Sequence, residues 1–141
     1  MGFKMIESAG KDYANNRFFI RIKVNAEAGD LKNARAPLAW AAEKASDPAL
    51  RDLARLRLAS VMFDDKAYDE ALAQLQAAPD ESLAARFADL KGDILVAQGK
   101  KEEARAAYKA VVSSLESATK AESVTLREIA QAKLDAVGGA Q

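Results

Sequence analysis

The sequence predicts an all-α fold made of about three helical hairpins followed by a C-terminal capping helix. Apolar residues recur at steps of three and four along most of the chain, which is the spacing of one face of an α-helix. Alanine, the best helix former, is abundant. Two such patterns meet at Gly99, where the end of a helix favours a residue with positive φ. A helix with one apolar stripe cannot bury that stripe alone, so these hairpins are expected to stack on one another.

Composition narrows the functional classes. The 141 residues fit one domain, and 21 basic side chains balance 21 acidic ones, which argues against a nucleic-acid-binding protein. The absence of cysteine and histidine excludes a thiolate nucleophile, a histidine base and the usual zinc ligands. We therefore expect no cofactor, no metal and no catalysis. The chain has no apolar run long enough to span a membrane and no signal peptide at its start.

The N-terminal part of the chain is the least regular. Residues 1–10 are expected to fray, and a helix is predicted from about Lys11, although residues 20–24 alternate like a strand. A lone strand would have no partner in an otherwise helical chain. The next helix reaches Ser46 and contains Pro37. Its apolar stripe starts at Leu31, which places Pro37 in the interior, where proline normally kinks or breaks a helix. The alternative is a late start near Ala34, which would place Pro37 in the early turns.

Clear start and stop signals follow. Asp47 and Pro48 combine an N-cap residue with a proline suited to the first helical position. After a turn at residues 64–67, another helix begins at Tyr68 and stops before Pro79. Residues 84–115 form the clearest hairpin. The capping helix is predicted to turn four residues inward: Leu126, Ile129, Ala130 and Leu134.

A repeat joins these elements. Gly29, Lys66 and Gly99 occupy one turn position, separated by 37 and then 33 residues. Small and large residues follow each turn at matching offsets, and the spacing from Gly92 to Tyr108 resembles that of tetratricopeptide repeats, whose period is about 34 residues. The predicted organisation is a single domain, 1–141, with repeats at 11–46, 47–79 and 80–117 and a capping helix at 121–137.

Two longer stretches resemble a more specific family. DPALRDLARLRLASVMFDDKAYDEALAQLQ and ARFADLKGDILVAQGKKEEARAAYKAVV look like the YfgM family, which comprises ancillary subunits of the bacterial Sec translocon. The resemblance covers about residues 27–137. It implies a periplasmic domain of an inner-membrane-anchored protein, whose partners are the translocon and periplasmic chaperones. The family's transmembrane helix is absent from this chain, and residues 1–26 match its first helix poorly.

The resemblance also implies a partner-binding surface. In tetratricopeptide arrays the first helix of each repeat lines a concave face that takes peptides or partner helices. Carrying over the groove positions gives a set that is apolar in the middle and charged at one end: Asn16, Phe19, Lys23, Ala26, Leu53, Leu56, Ser60, Phe63, Arg86, Asp89, Asp93 and Val96. The residues expected to bind a partner are Phe19, Lys23, Leu53, Leu56, Ser60, Phe63, Arg86, Asp89 and Asp93. The alternative is that Leu53, Leu56 and Phe63 belong to the core.

Two other functional interpretations stay open. One is a soluble scaffold, cytoplasmic or periplasmic, that assembles an unrelated complex. The other is an enzyme in which Asp89 and Asp93, four residues apart on one helix face, act as general acid and base. Because no histidine and no pocket accompany this pair, we expect both carboxylates to lie on a solvated face.

Overall fold

The computed structural model describes residues 31–138, with side chains from Arg35 onward. Every regular element in that range is a helix, which confirms the predicted all-α fold. The predicted first helix, the frayed start, Phe19 and Lys23 lie outside the described residues. The helices are α1 (Leu31–Lys44), α2 (Pro48–Asp64), α3 (Tyr68–Gln74), α4 (Glu81–Ala97), α5 (Lys101–Ser114) and α6 (Ala121–Gly138).

The chain divides into two compact units, residues 1–80 and 81–141. In the first unit α1 packs on α2, and α2 packs on α3. In the second unit α4 packs on α5, and α5 packs on α6. The single domain and its repeat boundaries stay predictions.

The core of the first unit is rich in alanine. Small residues on α1 and α2 allow the two helices to approach closely, and larger side chains fill the space beside them. The buried apolar residues are Leu38, Ala41, Ala42, Ala45, Ala54, Leu56, Leu58, Ala59, Val61, Met62, Ala71 and Leu75. They recur at helical spacing, as the sequence pattern predicts.

The two ends of the α1–α2 connection follow local rules. The Asp47 carboxylate accepts a hydrogen bond from the Ala49 backbone N–H at 2.9 Å, and Pro48 is the first helical residue. This confirms the predicted start of α2. Helix α1 begins at Leu31 and holds Pro37 in its interior, so the alternative of a late start near Ala34 is wrong. Proline has no N–H to donate to the carbonyl four residues earlier, so it removes one hydrogen bond of the helix, while α1 as a whole packs on α2.

The turns after α2 and α4 share one geometry. Lys66 has φ 62° and Gly99 has φ 77°. After α2, the N–H of Lys66 donates to Phe63 O and that of Ala67 to Met62 O, at 2.9 and 2.8 Å. After α4, the N–H of Gly99 donates to Val96 O and that of Lys100 to Leu95 O, both at 2.9 Å. Both turns are therefore Schellman caps, as the repeat alignment predicts.

The second unit is organised by a close contact between α4 and α5. The buried ring of Tyr108 lies against the backbone of Gly92. A Cβ at Gly92 would stand 2.7 Å from Tyr108 Cδ1 and 2.8 Å from Cζ, well inside van der Waals contact. Glycine is thus required by the aromatic ring packed on it, which gives the small–large spacing of the repeat a direct structural cause.

The capping helix α6 packs through a narrow apolar strip. Ala130 is buried with Ala85 and Val111, and Leu126 is partly buried against them. The prediction that Ile129 turns inward is wrong, since this side chain is 47% exposed. Successive helical residues are rotated by about 100°, so with Ala130 innermost its neighbour points sideways.

Gly99→Val is expected to lower the free energy of unfolding by about 1–3 kcal/mol, because a β-branched residue is strained at positive φ. No atom lies within 4 Å of a Cβ built there, so the loss would report backbone conformation and not a clash. Urea denaturation measures it.

Lys66→Gly is the matched control, since it changes the equivalent turn in the opposite sense. Lys66 has positive φ, a conformation that glycine adopts without strain. The substitution is therefore expected to raise the free energy of unfolding by roughly 1 kcal/mol. A Gly99→Val variant as stable as the parent would contradict the assigned turn.

Gly92→Ala is expected to destabilise the protein by about 1–3 kcal/mol, because the new methyl group overlaps the Tyr108 ring. Thermal or urea denaturation measures the change. Gly138→Ala is the control within a helix, since its Cβ would meet Arg105 at an ordinary 3.5 Å. Equal stability of the two variants would rule out the tight α4–α5 contact.

Candidate partner-binding surface

The predicted groove positions of the first unit form one stripe on α2. Leu53, Leu56, Ser60 and Phe63 are spaced by three and four residues, so they share a side of the helix. Leu56 is 8% exposed and belongs to the core, whereas the other three side chains are partly exposed. The stripe therefore borders the core and presents apolar surface along its edge.

Phe63 is fixed by an aromatic neighbour. Its ring centroid lies 5.9 Å from that of Tyr68 on α3, with the two planes tilted by 49°. This is a favourable arrangement for two aromatic rings. Phe63 is thus held in place while part of its surface faces outward.

The predicted groove positions of the second unit lie on α4. Arg86 is exposed, with its guanidinium 4.0 Å from the carboxylate of Glu122 on α6. Three further residues follow at helical spacing: Asp89, Asp93 and Val96. Val96 is 42% exposed and, with Ile129, is one of two large hydrophobic side chains exposed among the described residues. The ends of this stripe are therefore accessible.

The middle of the α4 stripe differs from the expected solvated face. The side chains of Asp89 and Asp93 are only 19% and 27% exposed. The Lys133 ammonium of α6 lies 3.1 Å from an Asp89 oxygen and 3.0 Å from an Asp93 oxygen. The prediction of solvated carboxylates is wrong, because α6 covers them and brings a cation to both.

Tyr108 of α5 contacts both Asp93 and Lys133. Its hydroxyl donates a hydrogen bond to Asp93 Oδ1 at 2.6 Å. The Lys133 ammonium also lies 5.7 Å from the Tyr108 ring centroid, within range of a cation–π contact. We refer to Asp89, Asp93, Tyr108 and Lys133 as the carboxylate cluster.

Burial, hydrogen bonds and neighbouring charges shift the pKa values of three residues in the cluster. Burial raises the pKa of Asp89, even though the hydrogen bond and charge of Lys133 act in the opposite direction. Burial raises the pKa of Tyr108, as do its hydrogen bond to Asp93 and the nearby carboxylate charges. For Lys133, burial lowers the pKa, but hydrogen bonds to Asp93 and Asp89 and their charges together raise it above the ordinary value. At neutral pH the phenol therefore remains a donor and the ammonium remains charged.

The cluster is built to join helices. Both carboxylates accept from Lys133, and Asp93 also accepts from Tyr108, so their oxygens are committed to protein donors. This arrangement does not match a general acid–base pair aimed at an open pocket. Among residues 31–138, no three side chains of the usual ligand types come together to hold a metal ion.

Arginine side chains secure helix ends in both units. Arg51 of α2 donates to the Ala45 carbonyl just after α1, at 3.2 Å. Arg127 of α6 donates to the carbonyls of Leu115 and Glu116 after α5, at 3.0 and 2.9 Å. A cation at a helix C-terminus is favourable, because the last carbonyls lack helical partners.

Asp52 and Arg35 each make two further polar contacts within the first unit. The buried Asp52 carboxylate accepts from the Asp80 backbone N–H at 2.9 Å and from Arg55 at 3.1 Å. Arg35 of α1 forms ion pairs with Asp65, at 3.2 Å, and with Glu70. The segment that follows α2 is thus fixed to α1, and the end of the unit is fixed to α2.

Sequence reasoning missed Lys133 as a partner of the acidic pair. A signal was available, because Lys133 is three residues after the inward Ala130 and therefore shares its side of α6. The roles of Arg127 and Asp52 carry no comparable signal. Each depends on a partner that is distant in sequence or lies in a loop.

Comparison with known proteins agrees with the geometry. Residues 4–139 match the tetratricopeptide repeat-like domain family. The chain belongs to this family. The helical hairpin of α4 and α5, in which Gly92 faces Tyr108, lies within the matched range.

Three relatives carry the same description, "Ancillary SecYEG translocon subunit", which confirms the resemblance found in the sequence. The protein of Escherichia coli K12 is 39% identical over 85 residues, covering 60% of this chain and 41% of the relative. That of Neisseria gonorrhoeae is 33% identical over 104 residues, covering 74% and 47%. That of Haemophilus influenzae is 35% identical over 109 residues, covering 77% and 50%.

The chain thus spans half or less of the length of these relatives. No solved structure matches it significantly. Within the described range, none of the helices is long and apolar enough to cross a bilayer.

Asp93→Asn is expected to cost about 1.5–3 kcal/mol of stability, because Asp93 is the charged acceptor of both Tyr108 and Lys133. Asp89→Asn, the matched variant, is expected to cost less, since burial already disfavours its charge. Urea denaturation at pH 7 compares them. A larger loss for Asp89→Asn would contradict the assigned roles.

The stability loss caused by Asp89→Asn is also expected to depend on pH. A carboxyl whose pKa is raised on folding contributes most stability below its unfolded pKa, and this contribution is lost as pH rises through the folded value. The stability difference between the parent and Asp89→Asn should therefore be greater near pH 4 than at pH 7. The opposite trend would show that the Asp89 pKa is depressed.

Proposed function

We propose that this chain is a protein–protein interaction module of an accessory subunit of the Sec translocon. The family supports an interaction role, because helical hairpins of this kind present one face of their first helices to peptides or partner helices. Similarity to three ancillary SecYEG translocon subunits supports the proposal that the partner is the translocon. The module acts by binding and without catalysis.

In each unit, the proposed binding positions are the accessible groove positions of that unit. In the first unit these are Leu53, Ser60 and Phe63 on α2, and in the second unit they are Arg86 and Val96 on α4. Leu56 supports the α2 stripe from the core. Asp89 and Asp93 contribute mainly through the carboxylate cluster, because Lys133 and Tyr108 already occupy their oxygens. Phe19 and Lys23, which lie outside the described residues, stay predicted groove positions.

The proposed location is the periplasm, with the full-length protein anchored in the inner membrane. This part of the proposal rests on the resemblance to the YfgM family, which also implies contact with periplasmic chaperones. The competing possibility is a soluble scaffold, cytoplasmic or periplasmic, that assembles an unrelated complex. The experiment below separates the two.

Photo-crosslinking amino acids placed at Arg86 and Val96 of the full-length protein are expected to capture a SecYEG subunit or a periplasmic chaperone in cells. Both side chains are exposed on the proposed binding stripe. The crosslinked partner is identified by mass spectrometry. In spheroplasts, added protease should degrade the domain while cytoplasmic markers stay intact.

Lys109 is the matched control, since it is exposed on α5 outside the predicted groove positions. A crosslinker there should give at least several-fold less of the same product. Crosslinks only to cytosolic proteins, together with protection from protease, would contradict both the partner and the location.

A further inference from the structure

The capping helix α6 is attached to its unit differently from α4 and α5. Ala130 is its one buried residue within the described chain, although the helix runs from Ala121 to Gly138. The neighbouring helices bury more of their side chains: α4 buries Ala85, Phe87, Gly92, Ile94 and Leu95, and α5 buries Ala104, Ala107, Tyr108 and Val111. Leu126 adds partly buried apolar surface. Apolar burial therefore holds α6 in place less strongly than it holds α4 and α5.

Polar contacts supply much of its remaining attachment. Towards the N-terminal half, Arg127 donates to the carbonyls that end α5. Towards the C-terminal half, Lys133 joins the carboxylates of Asp89 and Asp93 on α4. At the very end, the Arg105 guanidinium of α5 lies beside Gly138, where a cation favours the helix C-terminus. The Arg86–Glu122 pair is exposed and adds little.

From this distribution we propose that α6 is a latched cap, which opens as a unit while α4 and α5 stay folded. Lys133 is the latch, because it is the side chain of α6 that reaches two carboxylates of α4. Segments with few buried apolar contacts open at lower free energy than the core of a protein. Opening would uncover Ala85 and Val111 together with the partly buried Ala88 and Val112.

The cost of releasing the latch is set by the carboxylate cluster. When α6 leaves, Asp89 and Asp93 lose their cation but gain water, so the exchange is partly compensated. Asp93 keeps the Tyr108 hydroxyl as a donor, because that bond joins α4 to α5. The α4–α5 hairpin therefore retains its own hydrogen bond after α6 has opened.

Hydrogen–deuterium exchange of the intact chain, read by mass spectrometry, tests this proposal. In the parent, the amides of α6 should exchange at least about tenfold faster than the slowest amides of α4 and α5. Lys133→Met should speed exchange in α6 by a further factor of about ten and leave the slowest amides of α4 and α5 unchanged. Lys133→Arg, which keeps the charge, should restore most of the protection.

Lys109→Met is the matched control and should alter no helix of this unit, since Lys109 is exposed on α5. Exchange of α6 in step with α4 and α5 in the parent would overturn the proposal. An equal acceleration of all three helices in Lys133→Met, or none at all, would overturn the latch. This outcome is independent of the proposed translocon partner, because it concerns only contacts within the chain.

Discussion

The packing of Tyr108 on Gly92 is the contact on which the second unit depends. Because no side chain separates them, the phenol ring lies on the α4 backbone and helix α5 approaches closely. That depth brings the Tyr108 hydroxyl to Asp93, one residue beyond the glycine. A single small–large pair therefore sets the helix spacing and also satisfies a buried hydroxyl, which would otherwise carry a desolvation penalty.

The acidic pair shows how packing changes the meaning of a sequence motif. Two aspartates four residues apart are ordinary on a solvated helix, where their repulsion costs a few tenths of a kcal/mol. Once α6 covers them, burial opposes their charge and a cation becomes necessary. Lys133 fulfils that need, and burial still raises the pKa of Asp89. The cluster thus joins α6 to α4 at a place where apolar contacts are few.

Features encoded locally could be predicted from the sequence. Asp47 and Pro48 define the start of α2, and Gly99 and Lys66 share a cap geometry, because each effect acts within a few residues. The Gly92–Tyr108 contact followed from the repeat pattern. The environment of Asp89 and the exposure of Ile129 could not be predicted, since both depend on the rotation of α6 about its axis. Apolar spacing determines this angle only to within about one residue, or 100°.

The division between packing and binding residues explains why family membership is easier to establish than a partner. The residues that define the repeat, such as Gly92 and Tyr108, are buried against each other and are closed to any ligand. The proposed recognition uses the neighbouring side of the first helices, where Phe63 and Val96 keep part of their surface outward. The repeat pattern does not specify which residues stand at these outward positions. In the proposed function, selectivity for one partner therefore depends on them, and substitutions there are the ones that test it.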